Sequence, residues 1–269
     1  MPPLPGKTGQ SPGTAQGFVF VTPKHRVINF VVSLTLGGIL LAAACFAILR
    51  AVAWQWEGVW EYRAVFWKGW LITIGISCVA LILSVIFGLL AALGRRAPYP
   101  AIRWLAVGYV ELIRGTPLLV QLLILFYVVA DAIGLQNRYM AGIIILSIFS
   151  GAYIAEMIRA GIESIGKSQI ESARAIGLTR WQTYRHVIFP QATRHILPPL
   201  AGQAASIIKD SSLLSILGIE EFTLAAQQVN SATYSTLESY LPLAIGYLAL
   251  TLPVSLLARN LERKFRYDT

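Results

Sequence analysis

The chain has 269 residues, of which 56% are hydrophobic and only 13% charged, with a mean hydropathy of +0.63. Soluble domains carry roughly 25% charged residues, so a disordered chain and a water-soluble enzyme are both excluded. The formal net charge is +9, and the placement of these charges decides whether they serve nucleic acid or a membrane topology.

Residues 1–22 are rich in Pro, Gly, Ser and Thr and read as a disordered cytoplasmic tail. Gly6-Lys7-Thr8 resembles the end of a phosphate loop but lacks the preceding glycine and strand, so no nucleotide site follows. A bilayer core about 30 Å thick takes around 20 apolar residues per helix. Six stretches qualify: Val27–Leu49, Phe66–Leu93, Arg103–Ile133, Tyr139–Ile158, Leu197–Leu217 and Tyr240–Ala258. The first is too long for a signal-peptide core and has five more spans behind it, so it reads as a retained helix. Leu41–Cys45 is a poor lipoprotein cleavage site, because Ala42 stands where a larger aliphatic residue is usual. Cys45 and Cys78 both lie in apolar runs and give no disulfide framework. In the third stretch, Gly115 and Pro117 are expected to split an interfacial piece from a spanning piece. The fifth stretch is less apolar and carries Lys209-Asp210 in its middle.

With the N-terminus in the cytoplasm, sixteen of the 22 basic residues fall on the inner side. Four fall outside, Arg50, Arg63, Lys68 and Arg138, while Arg114 and Lys209 stay within spans. This bias sets the orientation and puts both termini inside; it argues against nucleic acid as a partner. Trp54, Trp56, Trp60, Trp67 and Trp70 surround the first outer loop as an interfacial aromatic belt would. His25, His186 and His195 have no ligand set near them, so no metal site and no catalytic residue is expected.

Between the fourth and fifth spans, residues 163–196 form a polar, basic loop. Ser168-Gln169-Ile170-Glu171 and Thr179-Arg180-Trp181-Gln182 both read as capping boxes. Gly177 ends the first helix. The second runs towards Pro190 with Trp181, Tyr184 and Ile188 on one face. Two short capped helices with a glycine corner, anchored in spans at both ends, make a rigid lever. Lying on the headgroups, or reading DNA as a helix-turn-helix, are weaker alternatives.

Glu171-Ser172-Ala173, three residues, Gly177, nine residues and Val187-Ile188-Phe189-Pro190 resemble the EAA loop of ABC importer permeases. That pattern departs from the family's only at Ser172, Val187 and Phe189. Tyr109–Gln121, with its Glu-Leu-Ile-Arg-Gly-Thr-Pro core, resembles the segment typical of polar amino-acid permeases. Ile208–Leu213 and Gly151–Arg159 add further likeness, and the resemblance covers about Phe66–Phe265.

The resemblance implies an all-α integral membrane protein with about six transmembrane helices, in the bacterial cytoplasmic membrane. It implies a permease core at 66–265 with its coupling loop at 163–196; an additional helix and outer loop at 23–65 and a short tail at 266–269 are expected outside that core. The implied function is import of polar amino acids, driven by ATP and Mg on a partner ATPase and not by a cofactor of this chain. Implied partners are ABC ATPase subunits, a second permease subunit (identical or paralogous), an extracytoplasmic amino-acid-binding protein and the lipid bilayer. Glu171, Ala173, Gly177 and Pro190 are the expected ATPase-coupling residues. Glu171 would face a basic or polar partner group or cap its own helix, and Gly177 would allow close approach of two backbones.

Charges within a membrane need a partner or a wet cavity. Glu111, Arg114, Glu156, Arg159, Lys209 and Asp210 therefore either pair among themselves or line the substrate path, with Glu156 the foremost candidate for ligand contact or gating. Glu111 and Arg114 are three apart on a helix and Lys209 and Asp210 adjacent, which suggests local pairing. The Gly115-Thr116-Pro117 break either exposes backbone groups to the path or is a kink for packing. The competing reading, an ion-coupled secondary transporter or channel, calls for a mirrored broken helix that the sequence lacks.

Overall fold

The computed structural model describes residues 56–265, together with 35–40, 42, 43 and 47. The chain divides into two compact units, Met1–Trp54 and Gln55–Thr269. In the first, the described residues are helical; the expected tail, most of the first span, Cys45 and Trp54 lie outside them.

The described part of the second unit is helical throughout. Its elements are α1 (Trp56–Trp60), α2 (Arg63–Gly94), α3 (Pro100–Arg114), α4 (Leu118–Ile124, widened into a π turn over Leu125–Ala130), α5 (Arg138–Glu163), α6 (Lys167–Ala175), α7 (Arg180–Thr183, π over Tyr184–Ile188), α8 (Phe189–Asp210, tightening to 3-10 over Ser211–Leu217), α9 (Phe222–Thr233) and α10 (Thr236–Phe265).

The helices α2, α5 and α10 are each long and apolar enough to cross a bilayer. The pair α3–α4 counts as one more if its 112° bend is a broken span. Six spans are expected from the sequence; the first falls outside the described residues, and α8 is too polar to meet the same criterion. Gln191, Arg194, His195 and Gln203 within α8, with Lys209-Asp210 at its end, account for that polarity. The short helix α9 has no counterpart among the expected elements.

Packing follows membrane rather than aqueous rules. The buried face of α2 is a stripe of small residues, including Ser77, Ala80, Ser84, Gly88 and Ala91, while Ile82, Leu89 and Leu90 face outward. The facing stripe of α5 includes Ser147, Ser150, Gly151 and Ala155. These stripes let α2 and α5 make the most extensive helix contact in the unit. At Gly88 a Cβ would lie 2.7 Å from the Ile154 side chain, so glycine is required there by proximity. The apolar core adds Leu118 and Leu122 of α4, Ile207 of α8 and Leu214 and Leu217 of the 3-10 turn.

A second junction is polar. Glu221 caps α9, accepting from the N–H groups of Thr223 and Leu224 at 2.9 Å each. The Tyr247 hydroxyl of α10 donates to the same carboxylate at 2.9 Å, and Thr73 Oγ1 of α2 accepts from the Phe222 N–H at 3.0 Å. Glu221 is fully buried. Burial pushes its carboxyl upward and the two backbone N–H bonds draw it back.

Glu221→Ala leaves the Thr223 and Leu224 N–H groups without their acceptor and the Tyr247 hydroxyl with Thr223 Oγ1, 3.0 Å away. It is expected to cost about 2–4 kcal/mol, read as a lowered thermal midpoint in detergent. Tyr247→Phe removes the bond to Glu221 and the 3.0 Å bond with Thr223 Oγ1, and is expected to cost about 1–2 kcal/mol. An unshifted midpoint in Glu221→Ala refutes this account of the junction.

Candidate functional site

The polar loop is an elbow. Its first helix, α6, starts at Lys167 after Gly166, with no side-chain cap. The capping box expected at Ser168 is therefore not formed: Ser168 lies inside the helix, and Glu171 is exposed rather than folded back onto the helix start. The helix ends as expected. Gly177 has φ +84°, a conformation that disfavours any Cβ. Its N–H donates to Arg174 O at 3.0 Å and the Leu178 N–H to Ala173 O at 3.1 Å, a Schellman corner. A Cβ on Gly177 would meet nothing in this chain within 4 Å. Its backbone angle demands glycine, not crowding within the chain.

The second box is formed. Thr179 Oγ1 accepts from the Gln182 N–H at 3.3 Å, and Gln182 Oε1 accepts from the Thr179 N–H at 2.9 Å. The helix does not stop at Pro190. Proline has no N–H to donate and its ring crowds the preceding turn; the chain widens into a π turn and Pro190 enters the first turn of α8. Ala173 is buried, anchoring α6. Gln191 Nε2 donates to Gln169 Oε1 at 2.7 Å, tying α6 to the start of α8. Ile176 (77%) and Trp181 (68%) are exposed, as is Phe189. Tyr184 is exposed and Ile188 half-buried, so the face expected to carry Trp181, Tyr184 and Ile188 is largely turned outward.

The intramembrane charges divide into two groups. Glu111, Arg114, Glu156 and Arg159 come together with Arg95 and Glu163, three arginines against three glutamates. Arg95 Nη1 donates to Glu156 Oε2 at 2.8 Å. Arg159 Nε lies 3.0 Å from both Glu156 oxygens, and Arg159 also pairs with Glu163. Arg114 Nη1 approaches Glu156 Oε2 at 3.8 Å, and Arg95 Nη2 approaches Glu111 Oε1 at 3.8 Å. Arg114 also lies over the Tyr153 ring, 5.6 Å from its centre. The expected Glu111–Arg114 pair within α3 is thus replaced by pairs across helices: both residues project towards α2 and α5, where opposite charges are in reach. Glu156 is the hub, and sequence reasoning missed Arg95 and Glu163.

Lys209 and Asp210 stand apart at the end of α8. Lys209 is exposed and Asp210 half-buried, and no ion pair joins them among the described residues. Adjacent residues on a helix point about 100° apart, which is why the suggested pairing fails. Here the helix tightens: Ser211 Oγ donates to Ile208 O at 2.8 Å and Ser212 Oγ to Lys209 O at 2.6 Å.

The break at Gly115-Thr116-Pro117 is closed from within. Gln121 Nε2 donates to Ile113 O at 2.7 Å and to Thr116 O at 3.1 Å. These two carbonyls are therefore satisfied rather than offered to a path. Among the described residues no group of His, Cys, Asp and Glu is arranged to hold a metal.

Residues 84–267 match the family described as the binding-protein-dependent transport system inner membrane component. Among relatives, the glutamine transport system permease protein GlnP of Escherichia coli (strain K12) is 35% identical over 214 residues, covering 79% of this chain and 98% of that protein. The probable glutamine ABC transporter permease protein GlnM of Bacillus subtilis (strain 168) is 35% identical over 202 residues, covering 75% and 93%. Among solved structures, a chain of an amino acid ABC transporter crystallised with histidines superposes with a TM-score of 0.74 at 36% identity, covering 79% of this chain and all of that one. The inward-facing MetNI methionine ABC transporter shares the fold, with a TM-score of 0.64 at 17% identity. The chain belongs to the family of inner membrane components of binding-protein-dependent transport systems, and is a multi-pass membrane subunit of a transporter.

Proposed function

We propose that the chain is the permease subunit of an ATP-driven importer of polar amino acids, and that the α6–α7 elbow is where a separate ATPase drives it. The observation that carries this reading is the elbow's construction. It is stiffened by the Schellman corner at Gly177 and the capping box at Thr179. It leads directly out of α5 and into α8, and turns Ile176 and Trp181 outward. Exposed apolar side chains on a polar loop mark a docking surface. Glu171, exposed on α6, faces a basic or polar group of that partner; Ala173 holds the helix down, and Pro190 enforces the π turn that leads into α8.

Two relatives named for glutamine transport and a solved amino acid transporter support the amino-acid class. The secondary-transporter or channel alternative gains no support from the family match. The remaining machinery lies outside this chain: ATP and Mg on two ATPase subunits, a second permease, identical or paralogous, and an extracytoplasmic binding protein that delivers the amino acid. Both termini lie in the cytoplasm, and residues 23–65 add a helix and an outer loop to the core at 66–265.

Alternating access needs two states of comparable energy with different contacts. The six-charge cluster centred on Glu156 supplies contacts that can be exchanged, so Glu156 with Glu111, Arg114 and Arg159 gates the inner end of the path. Lys209 and Asp210, at the tightened end of α8, remain candidates for contact with a zwitterionic substrate, which carries both signs of charge.

In proteoliposomes containing the assembled transporter, Gly177→Asp and Glu171→Lys are expected to lower ATP-dependent uptake at least about tenfold, equivalent to about 1.4 kcal/mol of lost coupling, with membrane insertion intact. Gly177→Asn, which tolerates a positive φ, is expected to keep more activity than Gly177→Asp. Undiminished uptake in both Gly177→Asp and Glu171→Lys overturns the lever.

Glu156→Gln removes the hub charge and leaves three arginines against two glutamates. It is expected to change the KM or maximal rate of amino-acid uptake several-fold. Unaltered uptake kinetics remove Glu156 from the gate.

A further inference from the structure

An apolar cleft of about 340 Å³ opens between α2, α3 and α5. Phe87, Leu90 and Gly94 of α2 face Ile102, Leu105 and Tyr109 of α3 across it. The Tyr109 hydroxyl is engaged in a 2.6 Å bond to Ile148 O, so the walls offer hydrocarbon and ring surface. Along α3, Trp104, Leu105 and Leu112 form an exposed apolar stripe on one face. A helix with such a stripe, set at 112° to the segment that follows it, suits the boundary between headgroups and acyl chains.

Two cations lie close in the chain to residues that line the cleft. Arg96 lies two residues beyond Gly94, in the connection between α2 and α3, and Arg103 follows Ile102 on α3. Both are exposed. Among the described residues neither has an ion-pair partner, whereas Arg95, Arg114 and Arg159 are all engaged in the Glu156 cluster. Three glutamates already match three arginines there, so Arg96 and Arg103 are surplus positive charge beside an apolar opening.

We propose that this cleft is a binding site for an anionic phospholipid, with an acyl chain between α2 and α3 and the phosphate held by Arg96 and Arg103. Basic residues at the mouth of an apolar space between membrane helices recognise acidic headgroups. A soluble phosphate would leave the apolar walls unused, and a zwitterionic lipid would leave the two cations unbalanced. The site needs only that these helices lie in a bilayer and does not rest on the importer reading.

The test uses the full chain in nanodiscs with equal amounts of phosphatidylglycerol and phosphatidylcholine, released into native mass spectrometry. Each arginine near the surface contributes about fivefold in affinity for acidic lipid. The chain is expected to retain phosphatidylglycerol at least about tenfold over phosphatidylcholine, a preference that high salt weakens. R96Q/R103Q is expected to lose the preference while keeping the same thermal midpoint in phosphatidylcholine alone. R96K/R103K, which preserves both charges, is expected to keep it. Retention without headgroup preference in the unmodified chain overturns the proposal, as does a preference that survives in R96Q/R103Q. Leu105→Cys, with Cys45 and Cys78 replaced by serine, probes the other occupant. Efficient disulfide formation between two copies would show the cleft filled by protein and would likewise overturn the lipid site.

Discussion

Close approach of α2 and α5 along their stripes of small residues is the constraint against which the rest of the second unit is built. In lipid, burying Leu against Leu yields little, since the tails are as apolar as the side chains. Helices hold together where backbones come near enough for dense packing. Gly88 beneath Ile154 and Gly151 beneath Phe87 provide that proximity. The larger apolar side chains are then displaced outward to lipid or onto the third layer formed by α4, α8 and the 3-10 turn. The close seam also fixes the separation between Arg95 at the end of α2 and Glu156 on α5, allowing a 2.8 Å ion pair there.

The same solvent argument governs the irregular segments. Where a helix breaks in an apolar medium, each freed carbonyl needs a local donor and each freed N–H a local acceptor. Gln121 serves the break before α4. Ser211 and Ser212 accompany the change of winding after Asp210, and Glu221 receives the first turn of α9. In each case the satisfying residue lies within a few positions of the break or across a single helix contact. The irregularities that look exposed in the sequence are therefore internally completed, and the ionic cluster is the larger concentration of exchangeable polar contacts among the charges considered.

What could be read from the sequence follows from the range of the interactions involved. Spans are continuous composition, so α2, α5 and α10 were visible as long apolar runs. The Gly177 corner and the Thr179 box are local, requiring three to six residues, and were equally visible. The Ser168 box does not form although its pattern is present: Ile165 is buried just ahead of the helix, and α6 begins two residues earlier than that box requires, with Gly166 at the cap position. The short helix α9 escaped because a search tuned to bilayer thickness passes over 12 residues, although Phe222, Ala225, Ala226 and Val229 carry the helical period. The partners of Glu156 escaped for a different reason. Ion pairs across three helices depend on which faces meet, and that is set by the small-residue seam of glycines and serines rather than by any local pattern around Glu156.

The elbow and the ionic cluster share one helix, and this links the two parts of the proposed mechanism. Glu156, Arg159 and Glu163 occupy the last turns of α5, and α6 begins at Lys167 after a short turn. A displacement of α6 by a docked ATPase therefore acts first on the carboxylates and guanidinium at the end of α5. The contacts of this cluster with α3, Arg95–Glu111 and Arg114–Glu156, are long at 3.8 Å and each has an exposed partner, and exposed pairs are individually worth about 0–1 kcal/mol. Replacing them one for another as α5 moves costs little, whereas separating the α2–α5 seam would forfeit the most extensive helix contact in the unit. Force entering at the elbow is therefore expected to leave the seam intact, carry α2 and α5 together, and shift the weaker ionic contacts to α3. The strong contact defines the moving body, and the weak contacts define where it can slide.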